Sequence, residues 1–213
     1  MKRIITSLLM AVVLAASFTT AQVVHAQDFD KGLAAYNAKD FATALREWRP
    51  LAAQGNARAQ TKLGLMAAQG NADAQFFLGY MYDNGLRVTQ DYKEAARLYG
   101  LAAAQSNGDA QFFLGEMYYN GLGVTQDYKE AARLYGLAAA QDYAFAQTKL
   151  GLMYDKGRGV TQDYVRAHMW FNLGAVSDDS KSASAKRDEV AAKMTPAQIA
   201  EAQKLAAEWK PKK

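Results

Sequence analysis

A segment of 36 residues is repeated along this chain, and the repeat constrains the fold more than any other feature. The string Gln-Phe-Phe-Leu-Gly begins at Gln75 and again at Gln111, and the related string Gln-Thr-Lys-Leu-Gly begins at Gln147. Residues 75–110 and 111–146 differ at only seven positions. A repeat of this length holds two short helices, and such a unit cannot bury its apolar face alone. The sequence therefore predicts an all-α chain in which helical hairpins stack into a solenoid.

Each repeat marks the boundaries of its own two helices. The first, helix A, carries Leu78 and Met81 on one face and is followed by Gly85, a residue type that commonly ends helices. The second, helix B, is expected to start after Asp91, with Glu94 completing a capping box.

Glycine recurs at one position inside helix A. An internal glycine costs about 1 kcal/mol relative to alanine, so its recurrence predicts that another helix packs closely there. The positions are Gly64, Gly79, Gly115 and Gly151.

The repeat pattern resembles a known family. Residues 74–95, 110–131 and 146–167 follow the pattern Ala-x-Phe-x-Leu-Gly-x-Met-Tyr-x-x-Gly-x-x-Val-x-x-Asp-Tyr-x-x-Ala, which resembles the Sel1-like repeat, a relative of the tetratricopeptide repeat. The resemblance covers roughly residues 41–175. It implies a right-handed α-α superhelix that binds proteins, commonly in signalling, secretion or the bacterial cell envelope.

The array is irregular at its N-terminal end. Residues 27–56 resemble a degenerate tetratricopeptide-like hairpin, whose second helix is capped by Asp40 and should be kinked at Pro50. The next unit, residues 57–73, lacks 21 residues, so its helix must take the place of a helix B or the solenoid must break there. The deletion is either absorbed by a local change of curvature or used as a hinge. Regular units follow, beginning at residues 74, 110 and 146 and ending at residue 176.

The C-terminal segment, residues 177–213, is predicted to cap the array. A polar stretch up to Arg187 precedes Thr195-Pro196-Ala197-Gln198, which has the pattern of a helix start with a capping box. We expect Ile199, Leu205 and Trp209 of that helix to cover the last repeat. A short basic tail ends the chain.

The first 26 residues have the pattern of a signal peptide. Lys2 and Arg3 precede an apolar run, and Val24-His25-Ala26 places small residues where a signal peptidase requires them. The pattern predicts cleavage after Ala26, with Ala21 as an alternative site, and a periplasmic or secreted protein. An uncleaved membrane anchor is the other interpretation. Loss of Lys2 and Arg3 lowers the formal net charge from +4 to +2, which does not indicate a nucleic-acid partner.

The residue types that carry most catalysis are absent or isolated. The chain has no Cys, which excludes disulfides, thiolate metal sites and Cys nucleophiles. His168 would be the single histidine of the mature chain, and no Walker, His-Glu-x-x-His, Ser-x-x-Lys or Gly-x-Ser-x-Gly motif occurs. We therefore expect no catalytic, cofactor-binding or metal-binding residues. A β-lactamase-like activity is associated with Cys-rich members of the Sel1-like group, and the missing cysteines make it the weakest interpretation here.

One stripe of helix A is the candidate binding surface. Its positions are spaced four, three and four apart and lie away from the core face. Helix A lines the concave wall of tetratricopeptide-like solenoids, so the resemblance implies a groove that holds a protein partner. The alternative is that its aromatic residues only fill gaps between neighbouring A helices. Binding of a cell-wall glycan is a second hypothesis, based on export and on 12 tyrosines. The predicted surface consists of Lys62, Leu65, Asp73, Phe77, Tyr80, Asn84, Asp109, Phe113, Glu116, Asn120, Lys149, Leu152 and Lys156.

Overall fold

The computed structural model describes residues 28–177 and 181–211, and no strand occurs within these ranges. The predicted signal peptide and its cleavage site lie outside the described residues. No helix of the described ranges is long and apolar enough to cross a membrane. Residues 28–177 and 181–211 form eleven helices: α1 (Phe29–Asn37), α2 (Phe41–Ala53), α3 (Ala57–Ala68), α4 (Ala72–Asn84), α5 (Tyr92–Ala104), α6 (Gly108–Asn120), α7 (Tyr128–Ala140), α8 (Ala144–Lys156), α9 (Tyr164–Ser177), α10 (Lys181–Ala191) and α11 (Pro196–Glu208).

Successive helices pack against one another in chain order. The regular repeats are the hairpins α4/α5, α6/α7 and α8/α9, and packing within each hairpin is more extensive than packing between hairpins. We call α4, α6 and α8 the A helices, and α5, α7 and α9 the B helices. This arrangement is the helical solenoid that the repeat predicts.

Local hydrogen bonds set the helix ends. Gly85 ends α4 in the left-handed conformation, with φ 64°. The Asp91 carboxylate caps α5 by accepting the N–H of Glu94 at 3.1 Å, as predicted. The Glu94 side chain accepts from Arg97 at 2.6 Å, and the Asp91 N–H donates to the Tyr82 carbonyl oxygen. The reciprocal half of the predicted capping box is therefore wrong, since both groups have other partners.

An aromatic ring of each B helix lies on a glycine of its A helix. A Cβ built on any of these glycines would stand within 2.9 Å of a ring carbon. The rings themselves are fully buried. Close packing at these glycines is therefore confirmed. The pairs are Gly79 with Tyr99, Gly115 with Tyr135, and Gly151 with Phe171.

Gly64 does not follow this pattern. A Cβ built there would meet no atom within 4 Å. Helix α3 is followed directly by α4 instead of by a B helix that carries a ring, so nothing occupies the space beside Gly64. The close packing predicted for this glycine is wrong.

Helix α3 occupies the place of a B helix. It packs between α2 and α4. Helices α2 and α4 also meet directly, because the Arg49 guanidinium lies 5.7 Å from the centroid of the Phe77 ring and donates to the Asp73 carbonyl oxygen at 3.2 Å. The Tyr36 hydroxyl of α1 donates to the Gln69 side chain after α3 at 3.0 Å. The stack therefore continues through the shortened unit without a break, while a role for that unit as a hinge stays a prediction.

The loop between helices A and B touches the preceding repeat. A Cβ on Gly123, with φ 68°, would stand 2.0 Å from the Tyr92 carbonyl oxygen, and one on Gly159 would stand 2.1 Å from that of Tyr128. The first regular repeat has Arg87 at this position, also at positive φ, 61°. Glycine is therefore required only where a complete B helix precedes the loop.

The N-terminal hairpin is held by one indole ring. Asp40 caps α2 by accepting the N–H of Thr43 at 3.1 Å, as predicted. Trp48 is completely buried, and its Nε1 donates to the Phe29 carbonyl oxygen at 3.1 Å.

Pro50 lies within the last turns of α2. The kink expected at Pro50 stays a prediction.

Helices α10 and α11 cover α9 and cap the array. The capping box of Thr195 and Gln198 is present at the start of α11, as predicted. Trp209 packs edge-on against Trp170, with 6.1 Å between the ring centroids. Leu205 is 37% exposed, because α11 turns smaller side chains inward, and its predicted covering role is wrong. The polar stretch before Thr195 also contains a helix, α10, which its polar composition does not predict. The buried residues of α11 are Ala202 and Ala206.

Substitution of matched glycines tests the packing of ring on glycine. Gly115→Ala places a methyl group 2.8 Å from the Tyr135 ring and should destabilise the fold by about 1–3 kcal/mol. Gly64→Ala, at the same motif position but with open space around it, should stabilise the fold by about 0.5–1 kcal/mol. Urea unfolding followed by circular dichroism gives both values. Changes of the same sign in the two variants would contradict this packing.

Candidate interaction surface

The A helices lie side by side and form one surface, which we call the A wall (α4, α6 and α8). Phenylalanine rings join neighbouring members. Phe76 of α4 lies 5.6 Å from Phe113 of α6, centroid to centroid, and Phe112 of α6 lies 6.3 Å from Phe145 of α8. Within each Phe-Phe pair of α4 and α6, the first ring therefore contacts the following A helix.

The aromatic residues of the predicted surface are half-buried rather than exposed. Phe77 packs under Arg49 and against the core of α2 and α3. Phe113 lies edge-on to Tyr80 at 5.9 Å. The expectation of exposed anchors is wrong for these three rings, since they fill the gaps between adjacent helices. Phe145, on the same stripe of α8, is 58% exposed.

The acids at the start of the A helices bind the next repeat. The side-chain nitrogen of Asn107 donates to Asp73 at 2.9 Å. Burial, together with the Asp109 carboxylate, raises the pKa of Tyr143 to about 12. Asn107 and Tyr143 are the residues that precede α6 and α8, so each acid joins one repeat to the following one.

The remaining polar residues of α4 and α6 are placed differently. Asn84 and Asn120 are exposed at the last turns, where their amide groups donate to the carbonyl oxygens of Tyr80 and Glu116 at 2.9 and 2.8 Å. Both asparagine side chains remain exposed to solvent.

In α4 and in α6, one acid accepts a hydrogen bond from the buried tyrosine hydroxyl of the B helix. The Tyr99 hydroxyl donates to Asp83 at 3.3 Å, whereas that of Tyr135 donates to Glu116 at 2.5 Å. Asp83 and Glu116 stand at different repeat positions, one helical turn apart. Burial, reinforced by these carboxylates, raises the pKa of both tyrosines. Among the seven differences between the two repeats, Tyr80 and Asp83 become Glu116 and Tyr119, so the acid and the tyrosine exchange places.

The third repeat lacks this hydroxyl, because its ring is Phe171. Its acid, Asp155, is 6% exposed and turns to two lysines, Lys156 and Lys193, each at 2.8 Å. Burial alone would raise the pKa of Asp155, but hydrogen bonds from the two lysines hold it below its usual value. Lys193 follows α10, so this pair also fastens the cap to the last A helix.

Lys62 and Leu65 do not belong to the A wall. The Lys62 ammonium lies 5.5 Å from the Tyr36 ring of α1, and Arg58 of the same helix lies 4.0 Å from the Phe29 ring. Because α3 takes a B position, its outward stripe faces α1 and solvent. Their assignment to the concave surface is therefore wrong.

A basic pocket lies between the C-terminal ends of α6 and α8. It has a volume of about 160 Å³. Glu116 of α6 holds Lys149 of α8 at 2.8 Å beside it. The Arg158 guanidinium donates to the Tyr119 hydroxyl and lies 5.9 Å from the centroids of the Tyr119 and Tyr128 rings. The lining residues are Tyr119, Lys149, Leu152, Met153, Lys156 and Arg158.

Helical spacing predicts part of this pocket, namely Lys149, Leu152 and Lys156. It does not predict Tyr119 and Arg158, which lie off the four-three-four stripe. Comparison of the repeats does single them out, because each replaces a different residue one period earlier: Tyr119 replaces Asp83, and Arg158 replaces Leu122.

The described ranges contain no group of three or more His, Cys, Asp and Glu side chains placed to hold a metal ion. His168 is 3% exposed, and burial lowers its pKa, so it is neutral at ordinary pH. It packs as an uncharged helical residue.

Comparison with known proteins identifies the repeat. The model of the Sel1 repeat matches residues 72–107, 108–143 and 144–175, which correspond to the hairpins α4/α5, α6/α7 and α8/α9. A crystal structure of a Sel1 repeat protein from Oxalobacter formigenes is 34% identical in sequence, with a TM-score of 0.57, over 62% of this chain and 98% of that one. The chain belongs to the Sel1 repeat family.

A second solved structure resembles this Sel1 repeat protein over more of its length. It is c5321, described as a protective antigen present in uropathogenic Escherichia coli strains and displaying an SLR fold. The two chains are 25% identical, with a TM-score of 0.55, over 85% of this chain and 52% of c5321. The chain thus spans about half the length of that relative. A search of curated proteins gave no match.

The raised tyrosine pKa values predict how alkali affects the Sel1 repeats. In the unfolded chain the hydroxyls of Tyr99 and Tyr135 lose their protons near pH 10, whereas in the folded chain they keep them to higher pH. Their contribution to stability is therefore complete below pH 10 and is lost as the pH rises above it, by up to about 1.4 kcal/mol per pH unit for each tyrosine.

Urea unfolding at a series of pH values between neutrality and strong alkali measures this loss. The double variant Tyr99→Phe with Tyr135→Phe should be less stable at neutral pH and should lose stability less steeply in alkali. The slope left in the variant reports the other titrating groups. Parallel pH profiles of the two proteins would contradict the assignment.

Proposed function

We propose that this protein is an exported, non-enzymatic scaffold that holds a segment of a partner protein against the A wall. Proteins of the Sel1 repeat family commonly act as scaffolds for protein–protein interactions, and the family match supports the general class. Export is supported by the signal-peptide pattern of residues 1–26.

The observation that carries the proposal is the uneven use of side chains along the A wall. In α4 and α6, Phe77, Tyr80 and Phe113 are occupied in joining neighbouring helices. In α8, Phe145 is 58% exposed, and Leu152 and Lys156 remain accessible beside the pocket. Accessible aromatic rings are typical of the anchors that dominate protein interfaces. The C-terminal half of the wall is therefore the better candidate for partner binding.

Glycan binding receives less support from the geometry. It was suggested by the tyrosine content, but Tyr99 and Tyr135 are fully buried against glycines. Tyr82 and Tyr92 are half-buried in the core around α5. These rings serve packing and offer no open stacking face.

Site-specific photo-crosslinking in the cells of origin tests the proposal. A photoreactive amino acid is placed at Asn120 or Lys156, both exposed on the A wall, and at Leu101 or Leu137, which occupy one repeat position on the exposed face of the B helices. We expect Asn120 and Lys156 to give the same discrete adduct, and the two leucine positions to give none.

Adducts at all four positions, or only at Leu101 and Leu137, would contradict binding on the A wall.

The mass of the chain recovered in the same adduct tests export, since a chain that begins at Gln27 supports cleavage after Ala26. A chain that retains residues 1–26 would contradict it.

A further inference from the structure

We propose that the pocket between α6 and α8 binds an acidic segment of the partner, in which carboxylates flank an aliphatic side chain. This inference rests on the proposed function and names the chemistry of the partner. It is carried by the placement of charge around the pocket and by the way in which this cleft departs from its counterpart one repeat earlier.

The pocket concentrates positive charge. Lys149, Lys156 and Arg158 line it, while Glu116 and Asp155 are the carboxylates that contact these lysines. With Lys193, which also binds Asp155, four cations face two carboxylates, and this cluster carries a net charge of +2. An anionic group is therefore attracted to this end of the A wall.

The carboxylates lie deeper than the cations. The Asp155 side chain is 7% exposed and that of Glu116 is 27% exposed, against 56% for Lys156 and 36% for Lys149. Both carboxylates already have partners within the protein, because Glu116 accepts from Tyr135 and Lys149, and Asp155 accepts from two lysines. The surface that an incoming segment meets is thus that of the cations.

Arg158 is the cation best placed to bind a ligand. Within the described ranges it makes no ion pair, and its guanidinium is held only by the Tyr119 hydroxyl and the faces of two tyrosine rings. Stacking on aromatic rings orients a guanidinium while leaving N–H donors for a carboxylate. The half-buried Leu152 side chain lines the pocket and can accept an aliphatic side chain between two acids.

The preceding cleft, between α4 and α6, has none of this character. One period before Lys149, Lys156 and Arg158 stand Phe113, Asn120 and Leu122. The three cations are therefore absent from the preceding repeat, which has the same two-helix fold, and are not required by the fold of a repeat. A protein segment fits better than a small anion, because charges and apolar surface lie together in one pocket.

Calorimetric titration of the purified mature chain with blocked peptides tests the inference. One peptide carries Glu-Leu-Asp-Glu at its centre and the other carries Gln-Leu-Asn-Gln. The pocket variant is Lys156→Gln with Arg158→Gln, which leaves the Glu116 to Lys149 pair intact. The control variant is Lys93→Gln with Lys129→Gln, which removes the same charge from exposed positions on α5 and α7. Circular dichroism and thermal unfolding establish that both variants fold.

We expect the acidic peptide to bind the wild type and the control variant, and to bind the pocket variant at least about tenfold more weakly. Binding should weaken at high salt, and the neutral peptide should not bind. Equal weakening in both variants, or no binding of the acidic peptide to the wild type, would overturn the inference. Binding of inorganic phosphate or of an anionic oligosaccharide to the pocket in place of the peptide would overturn it too.

The two proposals fail separately. If the acidic peptide does not bind but the crosslinks at Asn120 and Lys156 still form, the A wall binds a partner of different chemistry. If those crosslinks are absent while the peptide binds as expected, the pocket takes acidic segments but the native partner is held elsewhere.

Discussion

Each regular repeat depends on one contact, the aromatic ring of helix B that lies on the glycine of helix A. Without a side chain at Gly79, Gly115 or Gly151, the helix axes approach closely enough for the ring to be buried completely. The close packing offsets the propensity cost of glycine inside a helix. Where the ring is missing, at Gly64, the space stays open, and the unit there is reduced to the single helix α3.

The presence or absence of a hydroxyl group on the buried ring of helix B determines where an acid is needed on the A wall. A tyrosine buries a hydroxyl that needs an acceptor, so an acid must stand near it. In α4 this acid is Asp83, and in α6 it is Glu116. Glu116 in turn attracts Lys149 across the gap between α6 and α8. In the third repeat, Phe171 needs no acceptor, and Asp155 instead holds Lys193 of the cap.

Much of the fold follows from the sequence because its signals are local and repeated. The period, the caps at Asp40 and Asp91 and the capping box at Thr195 all predict elements that the structure contains. The predictions that were wrong or missing depend on how the helices pack against one another. Helical spacing placed Phe77 and Phe113 on an outward stripe, but it does not reveal how near the next A helix lies. Lys62 was assigned from a motif of helix A, whereas the position of α3 in the stack gives it the surroundings of a B helix. Arg158 follows a helix and therefore escaped a search by helical period.

A double-mutant cycle between Tyr135 and Glu116 tests most directly whether the buried ring organises the A wall. Urea unfolding is measured for the wild type, Tyr135→Phe, Glu116→Ala and the double variant. Since loss of Glu116 leaves a buried hydroxyl without its acceptor only when Tyr135 is present, the two changes should be coupled by about 1 kcal/mol or more. Additive changes, with no coupling, would contradict the account.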